Sequence, residues 1–285
     1  MTVHDSGAMH PEPGLVIESP SNPRIKAAVA LRERRDRQAT GLTIVDGARE
    51  AVRALESGIA LETAFVCPPL VTSEDARRAV DLAGERTIEV GQRVFEKLAY
   101  GDRSDGIVLV VRPRVRALGD LELPPDPLVV VTEDVEKPGN VGAILRSADA
   151  VGASAVIAAG GTDLFNPNVI RASVGTVFSV PVVAAPVAEV AAWLLDRGLR
   201  TVATRVDAPD LHADADLRGP LALVLGSEAE GLSPAWSGAE IEAVRLPMEG
   251  TADSLNVSAA AAILLYEAWR QRRHTPDTRP SPQSG

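Results

Sequence analysis

"LVVVTEDVEKPGNVGAILRSADAVGASAVIAAG", residues 128–160, contains an apolar run, a turn with Pro and Gly, a helical pattern and a second apolar run. That order predicts strand, helix, strand in a parallel α/β sheet. Within the helical part Val141, Ile144, Leu145, Ala148 and Val151 recur on one face. Asn140 is placed to cap its start and Gly152 to end it. Arg146 falls off the apolar stripe. Taken singly, Asn140 reads as a cap and Arg146 as a solvated helical cation.

The same alternation extends in both directions. Downstream come "NPNVIRASVG", "SVPVVA", a helix over 187–197, "RTVATRVD", "LALVLG" (221–226), "IEAVRLPM" (241–248) and a last helix at 257–272. These near-continuous apolar strands suit a sheet covered on both faces. Upstream, helix 23–38, "LTIVDG", helix 47–57, "LETAFVC", helix 73–83, "RTIEV", a short helix and "GIVLVVRP" predict a small α/β domain with a largely parallel sheet. Pro-rich "RPRVRALGDLELPPDP", residues 112–127, separates the halves. The expected layout is a flexible N-terminal tail (1–18), an α/β substrate-binding domain (19–113), a linker (114–126), a parallel-sheet catalytic domain (127–273) and a flexible C-terminal tail (274–285).

With 285 residues the chain can bury two cores, and no apolar run is long enough to cross a bilayer. The N-terminus lacks the basic-then-apolar order of a signal peptide, so the expected compartment is the cytoplasm. Cys67 is the single cysteine, and His4, His10, His212 and His274 are scattered, which argues against a disulfide or a metal centre. The net charge of −10 excludes a uniformly basic nucleic-acid binder. Yet residues 20–38 carry Arg24, Lys26, Arg32, Arg34, Arg35 and Arg37 against Glu33 and Asp36, a local excess of +4. Such a run is either a solvated helix face or a phosphate-binding patch.

Three segments follow predicted strands, where open α/β sheets bind ligands: "KPGNVGAILRSAD", "LGSEAEGLS" after the 221–226 strand, and "LPMEGTADSLNVSAAAA" running into the last helix. Alone, Gly226 and Gly231 mark a turn, Glu228 is a loop carboxylate, and Ser254 and Asn256 are helix caps. The G-x-G-x-x-G fingerprint, the P-loop and the G-x-S-x-G elbow are all missing.

Taken in order, "N-x-G-x-x-x-R-x-A", "LGSEAEGLS" and "IEAVRLPM…SLNVSAAAAILLYEA" resemble the SpoU/TrmH family of RNA ribose 2′-O-methyltransferases over residues 127–272, and "NPNVIRASVGTVFSVPVV" also fits. The first half is similar, more loosely, to the ribosomal-protein-like substrate-binding domain that many members carry. The resemblance implies a trefoil-knotted methyltransferase domain that binds S-adenosylmethionine, pairs as a homodimer through the knot region, uses no metal, and acts on RNA. Ribosomal RNA is the expected substrate and transfer RNA the alternative. A catalytically silent RNA-binding or ribosome-assembly protein on the same fold is the rival from another class.

By residue-wise transfer, Arg146, Asn140, Glu228 and Asn256 are the catalytic candidates. Gly226, Leu246, Met248, Leu255, Ser254, Asn256 and Thr204 are the cofactor candidates, with Gly226 allowing close backbone approach and the apolar side chains forming an adenine slot. Arg24, Lys26, Arg34, Arg35, Arg146 and Arg171 are the RNA-binding candidates.

Overall fold

The computed structural model describes residues 16–99, 105–227 and 229–273. Contacts divide the chain into two compact units: Met1–Val115 with Asp163–Ser179, and Arg116–Thr162 with Val180–Gly285. The described residues begin at Val16, and β1 there falls inside the stretch expected as an N-terminal tail; residues 1–15 and 274–285 lie outside the described residues.

The first unit contains β1 (Val16–Ile17), α1 (Pro23–Ala30), α2 (Arg34–Thr40), β2 (Thr43–Asp46), α3 (Ala48–Glu56), β3 (Ala60–Val66), α4 (Glu74–Ala83), β4 (Thr87–Val90), α5 (Gln92–Leu98) and β5 (Ile107–Arg112). Its sheet order is β1-β4-β3-β5-β2. β5 runs antiparallel to both β2 and β3, so the sheet is mixed rather than largely parallel. A fully buried apolar strand such as "IVLVV" carries no directional signal, and for that reason the sequence pattern misleads here. Ile25, Ala28, Val94, Phe95 and Leu98 from α1 and α5 join Phe65, Ile88 and Val108 in one core.

The helix expected over 23–38 is two helices. Two arginines hold the break. Arg37, 6% exposed, donates from Nη1 to the Leu31 and Arg32 carbonyls at 2.8 and 2.7 Å, and Arg32 donates to the carbonyls of Lys97, Leu98 and Ala99 at 2.8–3.1 Å. These carbonyls at the ends of α1 and α5 have no partner within their own helices.

The second unit contains β6 (Leu128–Glu133), α6 (Pro138–Val151), β7 (Ala155–Ala159), β8 (Val182–Ala185), α8 (Val187–Asp196), β9 (Arg200–Thr204), β10 (Asp210–Leu211), β11 (Leu221–Leu225), β12 (Ile241–Arg245) and α9 (Val257–Arg273). The intervening α7 (Pro167–Ala172) belongs to the first unit. The seven strands run in the order β10-β12-β9-β11-β6-β7-β8, and every pairing is parallel. Val129, Val131, Ala222 and Val224 meet Val190, Leu194 and Trp236 on the face covered by α8. α6 and α9 pack on each other, burying Val141, Ile144, Leu145 and Ala148 against Ala260, Ala261, Leu264 and Leu265.

Candidate active site

β12, β9 and β11 are neighbours and parallel, so the loops leaving their carboxyl ends emerge on one edge of the sheet. There they enclose a cavity of about 770 Å³. Thr204–Asp207 follow β9, Gly226–Leu232 follow β11, and Arg245–Met248 and Asp253–Leu255 lie between β12 and α9. Thr204, Gly226, Leu246, Met248, Ser254 and Leu255 all line this cavity. Asn256 is not among the lining residues, and Glu228 lies outside the described residues.

The loop after β11 folds back on itself. Gly231, at φ 67°, donates its N–H to the Ser227 carbonyl at 3.0 Å, and the Glu230 N–H donates to Ser227 Oγ at 3.2 Å. A Cβ on Gly226 would lie 2.2 Å from the Gly231 carbonyl oxygen, closer than atoms can approach. Glycine is therefore required here by closure of the loop itself, a constraint independent of any ligand. Glu133, buried at the end of β6, accepts from the Ser233 N–H at 2.8 Å and anchors the far side of that loop. No motif in the sequence marked Glu133; only the sheet order brings it under residue 233.

α6 begins at Pro138, with Lys137 in the N-cap position and no side-chain cap bond. Asn140 thus sits inside the first turn and does not cap the helix. Proline at the first helical position starts the helix three residues earlier than an Asn140 cap would. Asn140 Oδ1 instead accepts from Asn256 Nδ2 at 3.1 Å. Asn256 Oδ1 accepts from the Ser258 N–H at 3.0 Å and from Ser258 Oγ at 2.6 Å, so it caps α9 while reaching across to α6. Gly152 ends α6 in the left-handed region as expected.

Arg146 is exposed and makes no hydrogen bond or ion pair among the described residues; it is not among those lining the cavity. Six residues along α6 separate it from Asn140, which leaves the two about 120° apart around the helix axis. Within one chain, the structure brings Asn140 and Asn256 together and leaves Arg146 on the open face.

Of the basic run, Lys26, Arg34 and Arg35 are exposed and Arg24 is half-buried, whereas Arg32 and Arg37 are engaged in holding carbonyls. Inside the first unit, Arg37 also pairs with Asp163, and Arg171 Nη1 lies 3.5 Å from the carboxylate of Asp46, whose side chain is 4% exposed.

Charged groups at the cavity were absent from the sequence-derived set: Arg205, Asp207, Glu230, Arg245 and Asp253. The signal that finds them is position, since Arg205 directly follows β9 and Arg245 ends β12. Arg205 donates to Asp207 at 3.1 Å and to Ser237 Oγ at 2.8 Å. That bonded guanidinium holds the Asp207 carboxyl below its usual range.

The chain resembles known proteins along most of its length. The SpoU rRNA Methylase family matches residues 127–266, and the MRM3-like substrate binding domain matches residues 22–109. The chain is 33% identical over 252 residues to the 23S rRNA (uridine(2479)-2′-O)-methyltransferase of Streptomyces viridochromogenes, covering 85% of this chain and 87% of that one. It is 35% identical over 209 residues to the 23S rRNA (guanosine-2′-O-)-methyltransferase RlmB of Ralstonia nicotianae, covering 71% and 84%. A solved RNA 2′-O ribose methyltransferase superposes with a TM-score of 0.80 at 44% identity, over 90% of this chain and 99% of the other. The SpoU methyltransferase AviRb of Streptomyces viridochromogenes, solved in complex with the cofactor AdoMet, gives 0.79 at 33% identity over 88% and 98%.

Proposed function

Because the chain belongs to the SpoU rRNA methylase family, we propose that it transfers a methyl group from S-adenosylmethionine to a ribose 2′-oxygen of ribosomal RNA, with residues 127–273 as the catalytic domain and residues 19–113 presenting the RNA. The observation that carries this reading is the convergence of three loops, distant in sequence, on one cavity of about 770 Å³. Its lining suits the donor: Leu225, Leu246, Met248, Leu255 and Val257 offer an apolar slot for adenine, and charged groups stand ready for an amino-acid tail. Bound there, the donor supplies a sulfonium methyl that needs no further activation.

What the protein must add is orientation and charge. Holding the ribose oxygen in line contributes on the order of 7–11 kcal/mol. Arg146 clamps an RNA phosphate and stabilises the alkoxide that develops on the ribose oxygen. A guanidinium does not give up its own proton, so the hydroxyl proton passes to a phosphate oxygen or to water. Asn140 and Asn256, tied to each other, fix the start of α6 relative to the loop that enters α9. Glu228 orients Arg146 or the nucleotide. Lys26, Arg34 and Arg35 give RNA a cationic track outside the cavity, with Arg24 beside it and Arg171 as a further phosphate contact.

Two features support a homodimer joined through a trefoil-knotted region. α9 exposes Ile263 (40%) and Tyr266 (51%), with Leu255 (38%) just before it, an apolar strip a second copy would cover. Arg146, open and away from the lining of its own chain's cavity, is then free to serve a site shared with that copy.

Calorimetric titration with S-adenosylmethionine is expected to show saturable binding, and ribose-methylation mapping of ribosomal RNA is expected to show one modification that disappears with the gene. Absence of binding at high micromolar donor would remove the methyltransferase reading.

A further inference from the structure

Five charged residues line the cavity, and four of them have an evident electrostatic setting. Arg205 is bonded to Asp207 and Ser237, and Glu230 and Asp253 are carboxylates on the open loops. Arg245 is different. It is the last residue of β12, and its backbone is fully engaged: its register partner is Leu211 on β10, and its carbonyl accepts from the His212 N–H at 3.0 Å. The side chain is only partly exposed, yet its guanidinium makes no hydrogen bond or ion pair among the described residues. Its N–H donors face the water of the cavity and are not taken up by any protein acceptor among the described residues, so a bound anion can replace that water with a charge-assisted pair. A planar carboxylate fits the guanidinium fork best.

We infer that Arg245 is the cation that receives the α-carboxylate of the donor's amino-acid tail, so the segment Arg245–Met248 grips both ends of one molecule, its charge and its adenine. This inference rests on the cofactor reading above. The backbone supports the division of labour: Arg245 is held by its pairing with Leu211 on β10, whereas Leu246 and Met248 lie beyond the strand, where the chain is free to curve around a base. Arg205, already neutralised by Asp207, contributes to the shape of the cavity mouth and little to anion binding.

The test is equilibrium binding to the full-length protein of two ligands, S-adenosylmethionine and its decarboxylated form, which lacks only the carboxylate. The unaltered protein should prefer S-adenosylmethionine by about tenfold or more, the worth of one charge-assisted bidentate pair. Arg245→Met should erase that preference by weakening S-adenosylmethionine alone, and Arg205→Met should preserve it. Arg245→Lys, which keeps the charge and loses the fork, should recover part of the preference and stands in if the Met variant fails to fold. Equal weakening of both ligands in Arg245→Met, or unchanged preference, would overturn the assignment. So would a variant that binds both ligands normally and loses RNA affinity, since the anion would then be a phosphate. If the unaltered protein binds neither ligand, the cofactor reading itself falls, a result separable from loss of preference alone.

Discussion

Two arginine-bearing segments from the second half of the chain, α6 and residues 163–179, are put to opposite uses. Residues 163–179 fold with the first unit. Arg37 pairs with Asp163, Thr43 Oγ1 donates to the Phe165 carbonyl at 2.8 Å, Arg53 donates to the Val174 carbonyl, and Arg171 sits beside buried Asp46. The backbone there is committed as well. Val174 is held at φ 53°, a strained region for a β-branched residue, and a Cβ on Gly175 would lie 3.1 Å from the Cα of Glu50. α6 packs equally well on its inner face, yet it leaves Arg146 exposed and without a partner among the described residues. The same residue type is thus structural where a carboxylate or carbonyl faces it, and available for chemistry where nothing does.

The contrast predicts which arginines affect turnover and which affect the melt. Arg146→Ala should lower turnover by about 10²–10³-fold while leaving the melting temperature unchanged and S-adenosylmethionine affinity within about twofold; single-turnover methylation of ribosomal RNA measures the first, and a variant with near-normal rate would break the comparison. Arg37→Met should do the reverse. Removing a buried guanidinium that serves two carbonyls and a carboxylate costs about 3 kcal/mol of stability, read by denaturant unfolding, with little change in donor affinity. Arg171→Ala sharpens the comparison further: an unchanged salt slope for RNA binding would confine it to the structural class, and a shallower slope would give it a phosphate as well.

The smallest effect concerns pH. The Arg270 guanidinium, with Gln271, holds the Glu267 carboxyl of α9 down to about 2. A carboxylate with a depressed folded value stabilises the protein above its ordinary range and loses that contribution as pH falls toward 2. Glu267→Gln should therefore cost under about 1 kcal/mol near neutral pH and nothing at the acid end. Acid titration of the unfolding midpoint follows it.

Much of the fold was legible because burial leaves a periodic trace. β6, β7, β11 and the inner faces of α6 and α9 lie where apolar runs and helical spacing put them. The misreadings have local causes. Pro138 starts α6 ahead of the Asn signal, and Arg32 and Arg37 break one expected helix into two by serving carbonyls that sequence spacing does not reveal. At the site, motif residues that follow strands were found, whereas Arg205, Arg245 and Glu133 were not. Their importance comes from which strands are neighbours, not from any local pattern.

Sequence alone therefore determined the element types, the location of the apolar faces and two of the loops that line the cavity, those after β11 and β12, since each depends on residues within a few turns of one another. Tertiary structure alone decided the direction of β5, the attachment of residues 163–179 to the first unit, and the loop closure that requires glycine at 226. It also decided which arginines keep a free charge. Those outcomes depend on contacts between residues far apart in the chain, where strand order and packing, rather than local preference, set the energy.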